Sequence, residues 1–175
     1  MPLAFRLIRQ ADDAPLAHIA QKTVIEFGRS DSEYLKRPET LENLYSYYQQ
    51  PGSSYHVIYD TATDGVVGGG GYAPLESHPH ICELQKFFFL PQARGRGMGR
   101  KLLERLITEA AACGYQEMYL EAVPEMASAI RFYERMGFLR ITERLKTNHT
   151  CCTVYMKRNM LDSIPCSPTA FTAQL

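Results

Sequence analysis

Three groups of residues in this chain could do chemistry. Between Arg94 and Arg100, three arginines and three glycines occupy six of seven positions (Arg94-Gly95-Arg96-Gly97-Met98-Gly99-Arg100), directly ahead of a helical pattern. A strand that feeds a helix through such a bend leaves main-chain N–H groups unpaired at the helix start. Those donors, the helix dipole and the missing Cβ atoms make a local anion site, and the arginines add positive charge around it. The second group is Glu83 in "ICELQKFFFL", a strand that is apolar or aromatic apart from Gln85 and Lys86. A carboxylate partly desolvated on such a strand moves toward the range of a general base near neutral pH. The third is Tyr133, which repeats at helical spacing with Met126, Ala129 and Ile130, so its ring belongs to a buried stripe and its phenol needs a polar partner.

Other assignments of these features fail on spacing or charge. A Walker loop needs Ser or Thr after its Lys, and Lys101 is followed by Leu102. A dinucleotide loop needs G-x-G-x-x-G, whereas Gly95, Gly97 and Gly99 fall as G-x-G-x-G, with no acidic residue at a suitable later strand end. Lys+Arg and Asp+Glu balance at 19 each, which argues against a nucleic-acid binder. The five cysteines have no CxxC spacing, so neither a disulfide framework nor a metal site is expected, and Cys151-Cys152 in a strand would place one thiol inward and one outward. His78, His80 and His149 read as solvated loop residues. No apolar run is long enough to cross a bilayer and the N-terminus has no apolar leader, so a cytoplasmic protein with no membrane partner is expected.

The elements that must position these groups follow from periodicity. A strand over residues 3–9 leads into a helix that Asp12 or Asp13 caps and Gly28 stops. "GRSDSEYLKRPE" reads as a polar loop, and Thr40 caps a second helix over Leu41–Gln49. "SSYHVIYD" and "GVVGGGGYAPL" form a hairpin, and "ICELQKFFFL" is the next strand. An amphipathic helix carrying Leu102, Leu103, Leu106, Ile107 and Ala110 comes next. "QEMYLEAV", a helix from Met126 to Met136, and the strands "FLRIT" and "CCTVYMKR" complete the series. The order predicts one α/β (α+β) domain over residues 1–160 with a mixed sheet, and a disordered tail over 161–175. Strict alternation puts Glu83 on the same face as Phe87 and Phe89, unless a bulge changes the parity.

Arg94 to Gly99 fits the Q/R-x-x-G-x-G/A signature of the GNAT superfamily of acyl-CoA-dependent N-acyltransferases. "CELQKFFFLP" resembles that family's central strand and "AIRFYERMGF" its C-terminal helix motif, and the element order is similar from about Leu3 to Arg158. The resemblance implies a GNAT fold, a central mixed, mostly antiparallel sheet of about seven strands flanked by about four helices. It implies that the turn from Arg94 to Arg100 holds the pyrophosphate of acetyl-CoA, the co-substrate. Main-chain groups of Phe87 and Phe89 would pair with the pantetheine arm as an added strand. It also implies Glu83 as a water-mediated general base and Tyr133 as the acid for the leaving thiolate, with the amine acetylated directly in a ternary complex. Many relatives carry Asn where this chain has Met126, so that residue's contribution is either absent here or comes from elsewhere. The oxyanion donor is expected to be a main-chain N–H of the central strand. Phe27, Asp31, Glu33, Tyr34, Tyr45, Tyr47 and Tyr48 fall where relatives shape the acceptor pocket, although Leu41, Leu44, Tyr45 and Tyr48 also read as a buried stripe. The acceptor is a small-molecule or peptide amine, a homodimer is compatible with the family, and no metal is implied. A non-catalytic acyl-CoA-binding or sensing module on the same fold is the alternative.

Overall fold

The computed structural model describes residues 1–29, 33–36, 41–145 and 152–161, without the side chains of 33 and 34. Thr40, Asp31, His149, Cys151, Cys166 and the tail from 162 onward lie outside these residues, as do the side chains of Glu33 and Tyr34. Seven strands form one sheet in the order β1-β2-β3-β4-β5-β7-β6. They are β1 (Leu3–Leu7), β2 (Ser54–Asp60), β3 (Val66–Leu75), β4 (His78–Phe89), β5 (Glu117–Ala122), β6 (Leu139–Ile141) and β7 (Val154–Asn159). All neighbours are antiparallel except β4 and β5, so the mixed sheet expected from the element order is present.

Two apolar layers cover the sheet. On one face, α4 (Met98–Ala112) and α5 (Ala127–Arg135) pack Leu102, Leu106 and Ile130 against Ile58, Leu84 and Leu120. On the other, α1 (Asp13–Glu26) packs Leu16 and Ala20, with Leu41 and Leu44, against Tyr55, Val57 and Ala73. Alternation along each strand feeds both layers, as burial on both faces requires.

The region after α1 departs from the pattern-based expectation. The second helix shrinks to α3 (Leu44–Tyr47), and the supposed polar loop contains one helical turn, α2 (Glu33–Lys36). Leu41, Leu44 and Tyr48 are buried as the stripe predicted, so tertiary packing fixes these side chains without a long helix. Asp12 does not cap α1 with its side chain. Its buried carboxylate takes two hydrogen bonds from Arg6, at 2.7 and 3.0 Å, and one from the Arg9 N–H. Met126 precedes α5 instead of opening it, and Cys152 lies ahead of β7 instead of within it. His78 and His80 begin β4 and are not in a loop.

Candidate active site

The sheet is divided at its centre. β4 and β5 pair in parallel at only three positions, Ile81 with Glu117, Cys82 with Met118 and Glu83 with Tyr119. Beyond them β5 pairs only with β7, and the β4 edge from Leu84 to Phe89 has no partner strand among the described residues. Glu83 therefore stands at the apex of a V-shaped opening whose one wall is an unpaired strand edge.

A bulge shapes that wall. Gly69 pairs with Phe88 and Gly71 with Gln85, so Gly70 alone faces Lys86 and Phe87. Lys86 takes φ 49°, in the left-handed region that costs a lysine about 1 kcal/mol, and its carbonyl accepts a 3.0 Å hydrogen bond from the Tyr55 hydroxyl. The extra residue reverses the alternation, which corrects the expectation that Glu83 shares a face with Phe87 and Phe89. Glu83 and Gln85 lie on the α1 side, with Phe88 beyond the bulge, whereas Phe87 and Phe89 pack on the α4–α5 side.

The run Gly68–Gly71 in β3 makes this crossing possible. A Cβ on Gly68 would lie 2.7 Å from the Phe89 ring, and one on Gly69 would lie 2.8 Å from the Tyr55 ring. Gly70 and Gly71 leave even less room, against Phe87 and against Tyr55 with the Ser54 carbonyl. A stretch that reads as an ordinary strand is a strip on which aromatic rings lie flat on both faces.

On the α4–α5 side the predicted residues converge. Phe87 meets Phe89 at 4.7 Å between ring centroids, stacks on Phe132 at 6.0 Å and reaches Tyr133 at 6.2 Å. Gly99, in the first turn of α4, sits so that a Cβ would touch Phe87, Phe89 and Phe132 at 3.9 Å. Burial raises the Tyr133 pKa well above the usual phenol value, so the hydroxyl stays protonated at any working pH.

The glycine-arginine turn follows. Gly95 and Gly97 take φ 69° and 76°, with open space where a Cβ would stand. Gly97 is the N-cap of α4 and supplies no side-chain acceptor, so no side chain of the cap covers the start of this 15-residue helix, the kind of terminus that can meet an anion. The arginines behave differently from one another. Arg94 holds the turn to α1: its guanidinium pairs with Glu26, its Nε donates to the Phe89 carbonyl at 2.8 Å, and it lies over the Phe27 ring. This pairing keeps the Glu26 carboxyl below its ordinary pKa. Arg96 donates to the Met1 carbonyl at 2.7 Å, and Arg100 pairs with Glu104 at 2.7 Å. The turn thus presents mainly main-chain groups, while each of its three guanidinium groups is engaged by another part of the protein.

On the α1 side the apex is polar. Glu83 is 6 % exposed and accepts a hydrogen bond from the Gln85 amide, whose oxygen accepts one from the Tyr48 hydroxyl at 3.0 Å. Tyr119, paired with Glu83 across the strands, donates to Glu121 at 2.8 Å, and Arg144 grips the same carboxylate at 3.0 and 3.1 Å while lying over the Tyr155 ring. Burial and the bond to Glu121 raise the Tyr119 pKa. The sequence reading missed Gln85, Tyr119, Glu121 and Arg144 as parts of this face. The alternation of Tyr119 and Glu121 was a usable signal, but no spacing brings Arg144 to them. Tyr47 is exposed, whereas Tyr48 reaches this network through Gln85.

Among the described residues no group of His, Cys, Asp and Glu could hold a metal, and no helix is long and apolar enough to cross a membrane. An unpaired strand edge leading from a buried carboxylate to an uncapped helix N-terminus suits a long ligand with an anionic end and a reactive centre at the apex.

Comparison with known proteins identifies the ligand class. The chain is 38% identical over 162 residues to the uncharacterized N-acetyltransferase YjgM of Escherichia coli, covering 91% of this chain and 95% of that one. It is 24% identical over 141 residues to the L-amino acid N-acyltransferase MnaT of Escherichia coli, covering 78% and 80%. A solved structure of a Salmonella typhimurium acetyltransferase with acetyl-CoA superposes with a TM-score of 0.70 at 21% identity, over 97% of this chain and 100% of that one. The sequence model described as "Acetyltransferase (GNAT) family" matches residues 21–138, more than half of the chain, and with the near full-length relative it shows that this protein belongs to the GNAT family of acetyltransferases.

Proposed function

We propose that this N-acetyltransferase transfers the acetyl group of acetyl-CoA directly to a small primary amine at the apex between β4 and β5, with Glu83 as base and Tyr133 as acid. The observation that carries this reading is the position of Glu83: a buried carboxylate on the last β4 residue paired to β5, where the open edge begins. Acetyl-CoA is the co-substrate of this family and supplies the thioester. Gly95, Gly97 and the first turn of α4 are the groups that would hold its pyrophosphate, with Met98 and Gly99 offering N–H donors and the Arg100 side chain beside them. Arg94 and Arg96 support the rim, and the main chain of Phe87 and Phe89 borders the arm.

Glu83 draws a proton from the incoming ammonium through one water, which leaves a neutral amine to attack the carbonyl carbon. A main-chain N–H on the open β4 edge stabilises the oxyanion. Tyr133 donates to the departing sulfur as the C–S bond breaks. Its protonated state suits it to that task, and solvent restores its proton from the pool that Glu83 feeds. The α1-side carboxylates Glu83 and Glu121, of which Glu121 is paired with Arg144, favour an acceptor that brings a cationic amine. An α-amino acid is a natural first class to test, because the relative MnaT is named an L-amino acid N-acyltransferase.

The test is thiol release from acetyl-CoA across a panel of L-amino acids and simple primary amines. Glu83→Gln and Tyr133→Phe are expected to lower kcat while thermal stabilisation by acetyl-CoA persists. Wild-type turnover in both variants would overturn the assignment. Binding of acetyl-CoA without turnover of any amine by the wild type would favour a sensing module instead.

A further inference from the structure

We propose that Gln85, locked by the Tyr48 hydroxyl, is a positioning residue that fixes the Glu83 carboxylate for proton transfer. The inference rests on the reading of Glu83 as the base. Gln85 has two dissimilar ends, and each is committed: its Nε2 donates to the Glu83 carboxylate, and its Oε1 accepts from Tyr48. Turning the amide over would set Oε1 against a carboxylate oxygen, two acceptors with no proton between them, so an ionised Glu83 and the Tyr48 donor select one orientation.

Tyr48 is itself fixed. Its ring lies 4.9 Å from Tyr55 and 4.9 Å from Tyr47, and it is 4 % exposed. Tyr55 in turn donates to the carbonyl of Lys86, the bulge residue immediately after Gln85. The aromatic pair that holds the bulge therefore also holds the amide that holds the carboxylate. Gly69 and Gly71 leave room for both rings, since a Cβ on Gly71 would press on Tyr55 and lie 3.1 Å from Tyr48. Three residues from β2, β4 and the end of α3 thus restrict one carboxylate, the arrangement by which an active-site group is held to within a fraction of an ångström of its working position.

The experiment measures thiol release from acetyl-CoA, with the fastest L-amino acid acceptor and with water alone, for Gln85→Leu and Tyr48→Phe in the wild type and in Glu83→Gln. Gln85→Leu is expected to lower kcat on the order of 10–100-fold with KM for acetyl-CoA unchanged. Tyr48→Phe, which keeps the ring and so the packing, is expected to lower it about fivefold. In the Glu83→Gln background neither change should lower the rate further, because there is no carboxylate left to position. Equal losses in both backgrounds, or wild-type kcat in both single variants, would overturn the proposal. A slow Glu83→Gln enzyme beside a fast Gln85→Leu one refutes this inference alone. An unimpaired Glu83→Gln enzyme refutes the reading of the base, and this inference with it.

Discussion

The two faces of the sheet beside β4 are built on opposite plans. The α4–α5 face is assembled from rings and main chain: Phe87, Phe89, Phe132 and Tyr133 in mutual contact, and a glycine turn that starts α4 without a side-chain cap. The α1 face is a polar network of buried carboxylates, an amide, phenols and one guanidinium. A ligand gripped through its backbone on the first face leaves most side chains free to be merely apolar. An acceptor on the second face must be recognised through charge and hydrogen-bond direction, so each side chain there carries information.

The largest effect expected is on the polar face. Glu83→Gln should reduce kcat about 100–1,000-fold, with acetyl-CoA binding by calorimetry unchanged; equal losses in kcat and in binding would erase the division between faces. On the ring face, Tyr133→Phe should lower kcat about tenfold at unchanged melting temperature. No hydrogen bond reaches that hydroxyl among the described residues, so removing it costs the fold little. A melting temperature lowered by many degrees would instead mark Tyr133 as structural.

At the turn, Gly97→Ala forces a Cβ into a left-handed N-cap and should cost about 1 kcal/mol of stability, with KM for acetyl-CoA raised and kcat kept. A fallen kcat at constant KM would mean that the turn acts in chemistry and not in binding.

The smallest effect concerns Glu26 and Arg94. The arginine holds the Glu26 carboxyl below its ordinary pKa, so the pair's contribution is present above that ordinary value and is lost as pH falls through the depressed one. The pair is partly exposed, so its contribution should be below ~1 kcal/mol and should shrink in salt. Acid melts of Glu26→Gln against the wild type would reveal it.

Much of the ring face was legible in the sequence, because its signals are local. The glycine spacing, the aromatic run and the helical stripe of Tyr133 each lie within about ten residues, and periodicity converts directly into a face. The polar face was legible only in part. Glu83 stood out as an acid in an apolar strand, but its side was misread because one added residue reverses a two-residue period. Tyr48 entered through a helix longer than the real one, and Arg144 reaches Glu121 from the connection after β6, a contact set by tertiary path and not by spacing. The four glycines of β3 read only as part of a hairpin strand because their role is defined by rings from β2 and β4.

The positive φ of Lys86 has a broader consequence. Before the bulge Glu83 and Gln85 lie on the α1 side; past it the even-numbered Phe88 does, and Phe87 and Phe89 lie on the α4–α5 side. One backbone position thus works as a change of phase in which residue numbers fall on which face of the strand. Deleting Lys86 would restore strict alternation and leave Gln85 and Phe88 on the α1 side and Phe87 and Phe89 on the α4–α5 side, so what the extra residue adds is the carbonyl that meets the Tyr55 hydroxyl.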